Sequence, residues 1–103
     1  MNISIVGKQF ELTEPIKNYI QDAFDTLGKY NLDIISARCV VGADEKQGKK
    51  GFNAEFSLNM AHKDTIVVRQ KDKDLYAAID LAIEKASSAQ KHYEKYSLNF
   101  RYV

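Results

Sequence analysis

Phe52-Asn53-Ala54-Glu55-Phe56-Ser57-Leu58-Asn59-Met60 alternates apolar and polar side chains without a break, and the fold turns on how it is read. A period of two is that of a strand with one face on a core and the other in water. Such a strand needs neighbours on its edges and a second layer over its apolar face. Upstream, Ile35, Ala37, Cys39 and Val41 share one parity while Ser36 and Arg38 take the other, so residues 34–41 read as a second strand on the same core. Between these two, residues 44–51 are polar, have no apolar anchor and end in Gly48-Lys49-Lys50-Gly51; they read as a mobile hairpin loop. Downstream, His62-Lys63-Asp64 can turn the chain, and residues 65–69 supply a further strand.

Helical periodicity appears on both sides of these strands. Thr13 precedes Glu14-Pro15, and Ile16, Ile20, Ala23, Phe24 and Leu27 follow at helical spacing, with an expected end near Gly28. Asn2-Ile3-Ser4-Ile5-Val6-Gly7 alternates before that helix, with Ile3 and Ile5 facing inward. Lys71-Asp72-Lys73-Asp74 opens a second helix, with Asp72 or Asp74 as its cap. In it Leu75, Ile79, Ala82, Ile83, Ala86 and Tyr93 define one buried face. The order is strand, helix, three strands, helix. It predicts an α+β domain of two layers, β-α-β-β-β-α, with two helices packed on one face of a four-stranded sheet. The last three strands should form an antiparallel meander, and the first is free to pair parallel to the second through the helical crossover.

Composition bounds the function. The chain has 103 residues, 45% hydrophobic and 28% charged, with a single proline; this describes one globular domain with one modest core. No apolar run approaches the roughly 20 residues of a membrane span, and the N-terminus lacks a basic region followed by an apolar one, so a cytoplasmic protein is expected. The lone Cys39 lies in a strand pattern and reads as a buried structural thiol. No glycine-rich phosphate cradle, nucleophile elbow or metal-ligand spacing is present, and His62 and His92 are far apart, so neither an enzyme nor a cofactor is expected. Fifteen Lys and Arg against fourteen Asp and Glu leave a net charge of +1, so any affinity for nucleic acid must come from a local patch. Such a patch exists. Residues 85–103 carry Lys85, Lys91, Lys95 and Arg101 against Glu94 alone, whereas residues 9–33 are acidic.

At about 100° per residue, Lys85, Ser88, His92 and Lys95 form a row along one flank of the second helix's buried face. A row so placed can lean over a neighbouring helix and present several cations to one polyanion. Solvated helices carry similar rows, with Glu84 and Glu94 as supporting acids. Tyr76 is expected to bury its ring beside the sheet rather than stack on a base.

Within this helix, Asp74-Leu75-Tyr76-Ala77-Ala78-Ile79-Asp80 resembles the Asp-Met-Tyr-x-Ala-Ile-(Asp/Asn) signature of the ribosome hibernation-promoting factors, also called sigma-54 modulation or ribosome-associated inhibitor proteins. Gly7-Lys8-Gln9-Phe10-Glu11-Leu12-Thr13 looks like that family's step into the first helix, and Lys29-Tyr30 like the Lys-aromatic pair that closes it. The resemblance covers residues 1 to about 96 and leaves a tail, 97–103, in which Leu98, Phe100 and Tyr102 share a strand-like parity. It implies a fold similar to a double-stranded RNA-binding domain with an extra strand. It also implies a protein that binds the small ribosomal subunit at rRNA of the decoding channel, overlapping tRNA and mRNA, and silences idle ribosomes. The chain looks like a short member of the family, expected to be a monomer when free, with no small-molecule substrate and no membrane partner. The implied RNA contacts are Lys85, Ser88, Lys91, His92 and Lys95, with Lys73 and Lys29. Ser88 stands where a relative can have Arg, and His92 where it can have Lys, so the row holds fewer permanent charges; Lys91 and Lys95 can compensate. A second reading, from a different class, is a protein-interaction module that uses the open sheet face or the tail.

Overall fold

The computed structural model describes residues 2–30, 34–46, 48–61 and 64–96, except for the side chains of 30, 45, 46, 49 and 90–96. The elements are β1 (Asn2–Lys8), α1 (Glu14–Tyr30), β2 (Ile34–Lys46), β3 (Lys49–Met60), β4 (Ile66–Asp72) and α2 (Leu75–Tyr96). The strands form one sheet in the order β1-β2-β3-β4. β1 runs parallel to β2, and β2, β3 and β4 form an antiparallel meander, as the sequence predicts.

Register lines up the apolar parities into continuous rows. Ile5 pairs with Cys39, Cys39 with Phe56 and Phe56 with Val68, so one row crosses all four strands. The neighbouring row is Ile3, Ala37, Leu58 and Ile66. α1 lies against β1 and β2, and α2 against β3 and β4. From the helices, Ile20, Phe24, Leu27, Ile79, Ala82 and Ala86 close the core. Phe24 of α1 packs on Phe56 of β3 with ring centroids 5.0 Å apart. Cys39 is fully buried at the centre, and that burial pushes its thiol up to about 12, out of the range in which a thiolate can attack.

Four expectations need correction. Residues 44–51 are not a loop: β2 and β3 continue as a ribbon, pairing Asp44 with Gly51, Glu45 with Lys50 and Lys46 with Lys49. Gly48 takes a positive φ of 75° at the bend, a conformation open to glycine and costly for most residues. Backbone pairing there needs no apolar anchor, so hydropathy does not report it. Ile35 is 58% exposed rather than inward, because a register shift between Ile34 and Ser36 inserts an extra residue and turns Ile34 into the core instead. β4 runs on through Lys71 and Asp72, which the sequence assigns to the start of α2. α1 runs through Gly28 to Tyr30.

The turn out of β1 is tight. A Cβ on Gly7 would lie 2.2 Å from the Phe10 carbonyl oxygen, so only glycine permits the chain to fold back there. Gln9 then adopts a left-handed φ of 52°. The fold-back seats Phe10 edge-on to Phe52 at 5.8 Å and covers the end of the core. No helix among the described residues is long and apolar enough to cross a membrane.

Candidate nucleic-acid interface

α2 carries most of the cations singled out in the sequence, and its start is well defined. Asp74 Oδ1 accepts from the Tyr76 N–H at 3.2 Å, and the Asp74 carbonyl accepts the Ala78 N–H at 3.0 Å, so Asp74 is the cap. Asp72 Oδ1 in turn accepts from the Asp74 N–H at 3.0 Å, which holds the bend between β4 and the helix. Leu75, Ala78, Ile79, Ala82 and Ala86 then form the buried stripe. With that stripe on the sheet, the flanks of α2 are oriented.

One flank faces α1. The Tyr19 hydroxyl donates to the Asp80 carboxylate, and the Tyr19 and Tyr76 rings meet edge-on with centroids 4.8 Å apart. Tyr76 is 39% exposed; its ring stands at the junction of the two helices rather than beside the sheet, because its place on α2 turns it toward Tyr19. The bond to Asp80, followed by partial burial and the Asp80 charge, pushes the Tyr19 phenol up to about 12.

Lys85 comes half a turn round from Tyr76. Lys85 and Ser88 are both exposed, and they lie on the flank away from α1. Lys85 and Ser88 therefore do not lean over the neighbouring helix; they face outward past the β4 side of the molecule. Among the described residues Lys85 has no ion-pair partner, in contrast to Lys17 with Glu14, Arg69 with Glu55 and Lys71 with Asp44. α2 continues as regular helix to Tyr96 and so carries positions 91, 92 and 95 onward from Lys85 and Ser88, although the side chains of Lys91, His92 and Lys95 lie outside the described set.

Lys73 and Lys29 are exposed but sit apart from the row. Lys73 precedes the first turn of α2, and the helix from Leu75 to Lys85 alone spans about 15 Å. Lys29 belongs to the last turn of α1. His62, Lys63 and the tail with Leu98, Phe100 and Tyr102 fall outside the described residues.

The sequence reading passed over a second group of cations. On the sheet face opposite the helices, Lys8, Arg38, Arg69 and Lys71 border a groove of about 900 Å³. Strand parity carries the signal for Arg38, which alternates with the buried Ala37 and Cys39. Their gathering needs the strand register, which no single strand contains.

Comparison with known proteins agrees with the fold. Residues 3–96 match the family described as sigma 54 modulation protein / S30EA ribosomal protein. The chain is similar to the ribosome hibernation promoting factor of Azotobacter vinelandii, 29% identical over 96 residues that make up 92% of this chain and 85% of that protein. Among solved structures, the N-terminal domain of Thermus thermophilus Protein Y is 28% identical, with a TM-score of 0.78 over 90% of this chain and 99% of that one. A ribosomal subunit interface protein from Coxiella burnetii shares the fold with a TM-score of 0.82 at 14% identity, over 92% of this chain and 99% of that one. With nearly its whole length matched, the chain belongs to the sigma 54 modulation protein / S30EA ribosomal protein family.

Proposed function

We propose that this protein binds the small ribosomal subunit through rRNA of the decoding channel, overlaps the tRNA and mRNA sites, and silences translation as a cytoplasmic hibernation factor. The observation that carries the reading is the family match over residues 3–96, joined to an exposed Lys85 on a flank of α2 that packing leaves free. Lys85 and the positions that follow it are the contact residues, and phosphate is the group they meet. No catalysis is involved. The free protein acts as a monomer.

The test is competition on purified small subunits. Binding should be displaced by tRNA and mRNA, and simultaneous occupancy would refute the reading. Charge reversal at Lys85 and Lys95 together should weaken binding far more than reversal at Lys17 and Lys63. It should also lower the magnitude of the salt slope by roughly one unit per lost contact. Ser88→Arg should tighten binding. Unchanged affinity in that variant would mean that the flank does not face RNA.

A further inference from the structure

The most exposed large apolar side chains among the described residues, Ile35 at 58% and Val67 at 51%, lie on one face and at one end of the sheet. Ile34 and Ala37 point into the core, so the two residues between them, Ile35 and Ser36, both face away from it at the register shift. Val67 stands between the buried Ile66 and the half-buried Val68, on the same open face, opposite Ser57 of β3. The strip between Ile35 and Val67 is uncharged. There the Asn59 amide donates to Ser36 Oγ, and Thr65 Oγ1 donates to Asn59 Oδ1, each at 2.9 Å. These polar groups already have partners, so an apolar segment can cover the strip without leaving them unsatisfied. Lys8 and Lys71 lie at the other end of this face.

α2 brings a segment of the chain to this place. The short link after Asp72 folds the helix back along β4 and β3. Its 22 residues span about 33 Å. Ala43 is level with Asp72 across the sheet, and from there back to Ile34 is about 30 Å of strand. The helix therefore ends level with the Ile34–Met60 pair, one layer above Ile35. Residues 97–103 follow, outside the described residues, and in sequence Leu98, Phe100 and Tyr102 share one parity while Asn99 and Arg101 take the other. Four extended residues reach at most about 14 Å, enough to carry Phe100 from Tyr96 round the end of the sheet to Ile35.

We infer that residues 97–103 cross the end of the sheet and dock on its open face, with the Phe100 ring on Ile35, Tyr102 toward Val67, and Asn99 and Arg101 left in water. Patch size selects this occupant. Two side chains fall far short of the roughly 1,200–2,000 Å² that a stable interface with a second copy or a free partner buries. A segment tethered to the end of α2 acts at about millimolar effective concentration and so holds on a contact this small. The docked segment leaves Lys85 uncovered on the helical layer, and the inference stands apart from the function proposed above.

The test is methyl NMR on the full chain. The Ile35 δ1 methyl should show cross-relaxation with the Phe100 ring and an upfield ring-current shift that Phe100→Leu removes, both unchanged on dilution. A mixture of differently isotope-labelled chains should show no such contact between molecules. Absence of the Phe100 contact in the wild-type chain would overturn the inference. So would a contact seen only between differently labelled chains and fading on dilution, which would make a second copy the occupant. Limited trypsin digestion gives an independent readout. Ile35→Asp changes an exposed position outside the core, and it should speed cleavage after Arg101 by about tenfold, the loss expected from exposing most of one large apolar side chain. Cleavage at Lys17, inside α1, should stay equally slow in both chains. Equal cleavage after Arg101 in wild type and Ile35→Asp would overturn the docking.

Discussion

Tyr19 joins the two helices through a single proton. Its hydroxyl can donate to Asp80 only while the phenol is protonated, and this bond is the main cause of a value pushed up to about 12 from an ordinary value near 10. The folded value lies above the unfolded one. Stability from the bond is therefore complete below about pH 10 and is lost as pH rises toward 12. Denaturant midpoints for wild type and Tyr19→Phe should converge through that window, with wild type the more stable at pH 8. Parallel profiles would show that the bond contributes nothing. Cys39 makes the opposite kind of point. It is a reactive residue type in a position that makes it inert, and its alkylation should require unfolding.

At the scale of elements, two short devices govern how the meander leads into α2. Asp72 and Asp74 together turn the chain from a strand into a helix within two residues. Asp74→Ala should cost about 1 kcal/mol, seen as a lower denaturation midpoint, and Asp74→Asn should recover most of it because the amide oxygen still accepts the Tyr76 N–H. A loss in Asp74→Asn equal to that in Asp74→Ala would assign the effect to charge instead. The β2–β3 ribbon is the other device. Its pairs from Asp44 to Lys46 stand about 10 Å beyond the last pairing of β1, at Lys8 and Gly42. Lys71 of β4 reaches Asp44 at 3.5 Å and braces the ribbon where it leaves the sheet.

The whole molecule depends on one core shared by both layers. Phe56 lies in the central row of the sheet and against Phe24 of α1, so removing its ring opens a cavity under both. Phe56→Ala should cost about 3–5 kcal/mol, a large share of the roughly 5–15 kcal/mol typical of such a domain. Val67, 51% exposed on the other face, provides the contrast, and Val67→Ala should change stability by no more than about 0.5 kcal/mol. Equal effects of the two, measured by chemical denaturation, would contradict the placement of the core. The same layering separates the core from the surface proposed for binding. The stripe of α2 belongs to the core, and its outer flank and the open sheet face stay free for charge.

Most of this architecture could be read from local signals. Alternation in residues 52–60, the helical spacing of Ile16 to Leu27 and of Leu75 to Ala86, and the Thr13 and Asp74 caps report the backbone directly, because each side chain's face follows from its position a few residues away. From them came the element order, the layers and the inward set, together with the exposed Lys85. Distant neighbours decided the rest. Ile34 replaced Ile35 in the core because a bulge against β3 shifted the parity, and residues 44–51 became a ribbon because backbone hydrogen bonds, which carry no hydropathy, pair across the bend. Lys85 points away from α1 because Tyr19 and Asp80 settle which flank of α2 meets its neighbour. Lys8, Gly42, Asn53 and Lys71 are scattered over 64 positions of the chain and became neighbours only through strand register, a relation between segments that periodicity within a segment cannot contain.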